Sequence, residues 1–86
     1  MPVVSRFLDI RIAMYYDNQG CPQLLAECAG HKAIVDIVNC CVIKGALPNK
    51  QLRFVLAWVE LHKDELMQNW ESAQGGKELQ QVKPLA

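Results

Sequence analysis

The chain has no excess of charge of either sign: nine Lys and Arg stand against nine Asp and Glu, for a formal net charge of zero. No global field therefore steers it toward nucleic acid or an anionic membrane, and nucleic acid is not an expected partner. Long apolar runs are missing too. Nothing approaches the ~18 residues of a spanning helix, and the opening Met1–Arg6 has no apolar signal core, so a cytoplasmic location without membrane contact is expected. Cysteine pairs at zinc-knuckle spacing are absent, because Cys21, Cys28, Cys40 and Cys41 are either too far apart or directly adjacent. The thiols read as reduced, since Cys40 and Cys41 could bond to each other only through a strained ring. No cofactor and no metal are expected, and no repeat or low-complexity segment interrupts the chain.

What is present is a globular composition in 86 residues, 51% hydrophobic and 21% charged, which is too apolar for disorder. A chain this short forms one domain, 1–86, and buries only roughly 60 to 65% of its unfolded surface. Self-association would help it.

The first half, about 3–44, has the two-residue period of strands. Ile10, Ile12, Met14 and Tyr16 fall on one side of a ribbon, with Arg11, Ala13 and Tyr15 on the other. Asp17–Gly20 is a turn cluster, and Pro22 delays the next strand because it cannot donate to a ladder. The segment Gln23–Cys28 suits a helix by propensity, but the strand patterns on both sides favour a strand. There Gln23, Leu25 and Glu27 share one face and Leu24, Ala26 and Cys28 the other. After a tight connection at Ala29–His31, the alternating and β-branched 32–38 places Ala33, Val35 and Ile37 together. A hairpin turn is expected at Val38–Cys41, and because a type I′ turn needs positive φ at both central residues, which suits Cys40 poorly, either a looser turn or local strain is expected there.

The second half changes period. Pro48 suits the first turn of a helix, and no breaker follows until about Ala73. Leu52, Val55, Leu56, Val59, Leu66 and Trp70 repeat at three and four residues, which predicts one long amphipathic helix over about 48–73. Phe54, Trp58 and Leu61 lie to one side of that stripe. Trp58 and Trp70 are about 120° apart on a straight helix, so one of them is expected at a margin. Gln74–Gly76 stops the helix, and the tail is expected to add a short edge strand over about 79–83. The fold class is α+β: an antiparallel sheet of four to six strands packed against one long C-terminal helix.

Several segments together resemble one prokaryotic family. They are Met14–Tyr16, Pro22–Glu27, Lys32–Ile37, Gly45–Pro48 and above all Trp58-Val59-Glu60-Leu61-His62-Lys63-Asp64-Glu65-Leu66-Met67-Gln68-Asn69-Trp70. The family is catalogued as domain of unknown function 4160, whose helix carries Trp-x-Glu-Leu-His-x-x-Glu-Leu-x-x-Asn-Trp. Its strand signature is Pro-His-Phe-His-Ala-Glu, and here the two histidines are replaced by Gln23 and Leu25. The resemblance implies a small standalone protein of unsettled activity, of the kind often encoded in toxin–antitoxin-like gene pairs, and hence a protein partner.

On a strand the two replaced positions would lie about 7 Å apart, a spacing that can share a metal ion or a phosphate. Leu25 can neither ligate nor titrate, so a site needing both histidines is lost, and Glu27 alone reads as a solvated strand carboxylate. A thiol–histidine reading would need Cys21 or Cys28 beside His31 or His62 with an orienting group, and a zinc reading would draw on Cys21, Cys28, His31 and Cys40. The spacing supports neither. No catalytic residue is assigned.

A non-enzymatic interaction module is expected, with contacts at Tyr15, Tyr16, Gln23, Leu25, Glu27, Trp58 and Trp70. Homodimerisation through a sheet face left free by a single helix is compatible with this. The alternative is a small enzyme or nucleic-acid-acting toxin whose histidine site is lost or relocated. For nucleic acid the basic edge of Lys44, Lys50 and Arg53 is the candidate surface.

Overall fold

The computed structural model describes residues 3–14 and 22–84. The alternating segments form five strands: β1 (Val3–Phe7), β2 (Ile10–Ala13), β3 (Gln23–Cys28), β4 (His31–Asp36) and β5 (Cys41–Gly45). They pair antiparallel in sequence order as a single meander. Leu8 and Asp9, with φ of 51° and 62°, join the partners Phe7 and Ile10. Ala29 and Gly30, at 49° and 82°, join Cys28 to His31. Both are two-residue turns with positive φ at each central position, the geometry that matches strand twist.

The third hairpin takes the looser form expected from the poor fit of Cys40 to a tight turn. Asp36 pairs with Cys41, leaving 37–40 as a longer loop. The Asp36 carboxylate organises it by accepting bonds from the Val38 N–H at 2.9 Å, the Asn39 N–H at 3.2 Å and Asn39 Nδ2 at 2.9 Å. Ile37 therefore stays fully buried. Cys40 takes a left-handed φ of 55° all the same, so the mismatch read from the sequence survives in the looser turn.

Register sorts the side chains onto two faces. One carries Phe7, Ile10, Ile12, Leu24, Ala26, Cys28, Ala33 and Val35, which join residues of the helical half in a continuous core. A bulge between Val3 and Ser5 turns Val4 into this core as well. At the sheet's end Gly45, with φ of 83°, pairs with Ala33, and any Cβ there would collide with the Lys32 carbonyl oxygen.

The single long helix expected over 48–73 is instead two: α1 (Asn49–Leu61) and α2 (Lys63–Gln74). Pro48 occupies the cap position. His62, at φ −115° and ψ 23°, is the one non-helical residue between them. The hydrogen-bond ladder continues through it, from the His62 N–H to the Trp58 carbonyl and from the Leu66 N–H to the His62 carbonyl, both 3.0 Å. The break is thus confined to a single residue, with the ladder of hydrogen bonds continuing across it.

The margin expected for one tryptophan is overturned with the straight helix. Trp58 is 0% and Trp70 8% exposed. The tail, 77–84, supplies a second apolar wall through buried Leu79 and Val82. This tail is not the edge strand expected over 79–83; it is irregular and makes one backbone bond to β1, from the Val82 N–H to the Val4 carbonyl at 2.8 Å.

Candidate functional site

The strand that carries the family signature is central in the sheet, and its register places Gln23, Leu25 and Glu27 on the face away from the core cluster. Cross-strand pairing builds that face in rows. Arg6, Arg11, Glu27 and Lys32 form one, Ala13, Leu25, Ile34 and Lys44 the next, and Gln23, Asp36 and Cys41 a third. Four cations therefore share this face with the two carboxylates Glu27 and Asp36, although the chain as a whole is neutral. Asp36 is held by its turn and is itself buried, which leaves Glu27 as the accessible one. Arg11 Nη1 approaches Glu27 Oε1 at 3.5 Å, with the two side chains 41% and 23% exposed. A contact that long and that wet contributes little to stability.

Ala13 and Leu25 are buried, at 0% and 6%, outside the core cluster. Leu25 is therefore shielded in the single chain, whereas Gln23, Glu27 and Ile34 are half-buried and Arg6, Lys32 and Lys44 exposed. Of the other expected contact residues, Tyr15 and Tyr16 lie outside the described residues. Trp58 and Trp70 are core. The Lys44, Lys50 and Arg53 edge is split between elements: Lys44 stands on the sheet face, while Lys50 and Arg53 are exposed one turn apart on α1.

The Cys28–His31 pair is brought together, as cross-strand partners flanking a turn. Cys28 is nonetheless 5% exposed and packed in the core, and His31 is exposed. Cys40, half-buried, donates its S–H to the Leu56 carbonyl at 3.1 Å. Burial first, then the Glu60 carboxylate, push that thiol's pKa up, and Lys63 only partly offsets them. Such a thiol is a poor nucleophile. Among the described residues no group of three or more His, Cys, Asp or Glu side chains stands close enough to hold a metal ion.

The helix motif has structural work instead. Trp58 packs on Phe7 with ring centroids 5.3 Å apart, and its Nε1–H donates to the Lys83 carbonyl at 2.8 Å. His62 packs against Trp58 with ring centroids 5.5 Å apart and planes tilted 45°, and places Nδ1 2.9 Å from Glu65 Oε1. Asn69, 3% exposed, grips one tail residue on both sides of its backbone: Nδ2 donates to the Gln80 carbonyl at 2.8 Å and Oδ1 accepts from the Gln80 N–H at 3.0 Å. The sequence reading missed this clamp. Its signal was a polar residue placed among the apolar positions Leu66, Trp70 and Ala73.

The model of the family Domain of unknown function (DUF4160) matches residues 9–71. The chain belongs to this family. The DUF4160 match takes in the whole of β3 and the helix motif up to Glu71, and it leaves out the tail that the motif holds. No curated protein and no solved structure matches the chain.

Proposed function

We propose that this DUF4160 protein is a non-enzymatic protein-interaction module, one component of a toxin–antitoxin-like pair, that meets its partner on the sheet face opposite the helices. The observation carrying this reading is the make-up of that face: a cross-strand row of Arg6, Arg11, Glu27 and Lys32 beside Ile34 and Gln23, away from the core cluster. Charged side chains on a rigid sheet give register and specificity to a protein contact, and half-buried Ile34 adds apolar area. Leu25, Trp58 and Trp70 serve the module's own packing, so Gln23 and Glu27 remain as contact residues from the signature and the helix motif.

Pull-down of the tagged protein from its native host, with mass spectrometry, tests the reading. Capture of one stoichiometric protein that is lost on Gln23→Ala with Glu27→Lys, while the thermal transition stays in place, is the expected result. Unchanged capture by that folded double variant would remove the sheet face from the proposal. The nucleic-acid alternative has one observation in its favour, the four cations on this face. Co-purified nucleic acid in place of protein, released by salt with a slope reduced by Lys32→Ala and Lys44→Ala, would establish it.

A further inference from the structure

The tail 77–84 has no regular secondary structure, yet most of its hydrogen bonds to the rest of the chain are made by its backbone. Asn69 brackets Gln80, Trp58 Nε1 donates to the Lys83 carbonyl, and the Val4 carbonyl accepts from the Val82 N–H. Gln81 Nε2 adds a 2.7 Å bond to the Val3 carbonyl. Leu79 and Val82 plug the two apolar positions, 9% and 4% exposed. The receiving groups come from β1, α1 and α2. Together they form a groove that holds an irregular peptide by its main chain and takes apolar side chains three residues apart.

Beside the tail runs an open channel of about 370 Å³, with Glu65, Gln68, Glu71 and Lys77 among its walls. Solvent thus reaches one flank of the strap. The connection to α2 is Gly75–Gly76, where Gly76 has φ of 71° and empty space around its Cβ position. A hinge of two glycines changes backbone direction at little steric cost.

We propose that this groove is a peptide-binding site whose occupant in trans is the same tail of a second copy, exchanged by opening at Gly75–Gly76. The identical segment makes identical bonds, so the exchanged pair is a closed two-fold dimer in which each groove is completed by the partner's tail. In the single chain a short linker holds the tail at an effective concentration on the order of 1 mM, which favours the closed monomer at ordinary concentrations. Removing the cis route removes that competition.

Deleting Gly75 and Gly76 from the full chain tests this. Size exclusion with light scattering is expected to show a species of twice the 9.7 kDa chain mass, at chain concentrations at least ~10-fold below those at which the natural chain dimerises. Tryptophan emission should stay that of two buried indoles. A folded monomer with a released, protease-sensitive tail would overturn the proposal. A second arm does not depend on the hinge. Leu79→Asp with Val82→Asp disables the tail and keeps the groove, while Asn69→Ala with Trp58→Phe weakens the groove and keeps the tail. Mixed, the two are expected to form a one-to-one heterodimer by native mass spectrometry, and a mixture showing only the separate components would overturn exchange. A dimer that survives in both variants alone would assign association to another surface and equally overturn it.

Discussion

At the scale of single residues, conformation and charge decide more than side-chain volume. Gly45 combines a φ of 83° with a backbone contact that leaves no room for a Cβ. Gly45→Ala is expected to cost at least ~3 kcal/mol in urea unfolding, because strain and collision add. Cys40 sits in the same left-handed region without that collision, so Cys40→Gly should be more stable than Cys40→Ala by about 1 kcal/mol in the same assay. Asp36 makes the turn sensitive to acid. The bond from the Asn39 side chain, then those from the backbone, hold its carboxyl below the usual 3.8, while burial opposes them. A lowered folded pKa means that the contribution is fully present above the unfolded value and is lost as pH falls through the folded one. Thermal melts between roughly pH 5 and pH 2 should therefore show Asn39→Ala losing less stability on acidification than the natural chain.

At the scale of elements, the helix pair and its strap act as one unit. Trp58, Asn69 and Trp70 are the family motif's most distinctive residues, and each of them faces inward. Two of them bind the tail directly. Asn69→Ala removes two hydrogen bonds and leaves the Gln80 backbone unpaired, for an expected loss of about 1 to 3 kcal/mol. Limited proteolysis should then cut within 77–84 before it touches the strands. The helical periodicity was readable from Leu52 to Trp70, but the break was not. No proline or glycine marks the break, where His62 leaves the helical region at φ −115° and ψ 23°.

At the scale of the whole molecule, one core joins strands, helices and tail, so unfolding is expected to be cooperative. Tryptophan emission and far-ultraviolet circular dichroism should give coincident urea transitions, with a slope of ~1 kcal/mol/M for a chain of this size. Both indoles should resist iodide in the native state, since neither exceeds 8% exposure. An early fluorescence change would separate the tail from the rest.

The sequence by itself determined the class, α+β, and that a run of strands precedes the helical half. Alternation at Ile10–Ala13, Gln23–Cys28 and Lys32–Asp36 is a local property of the backbone period, as is the three-and-four spacing after Pro48. It also placed Gln23, Leu25 and Glu27 on one face, because strand alternation needs no tertiary information. Only the tertiary structure decided what those faces meet. Leu25 is buried on the second face, Trp58 and Trp70 both enter the core, and the tail becomes a strap instead of a strand. Each of these rests on contacts between residues far apart in the chain, such as Val4 with Val82 or Trp58 with Lys83. Periodicity carries no record of such contacts, since it reports which residues turn the same way and not what comes to cover them.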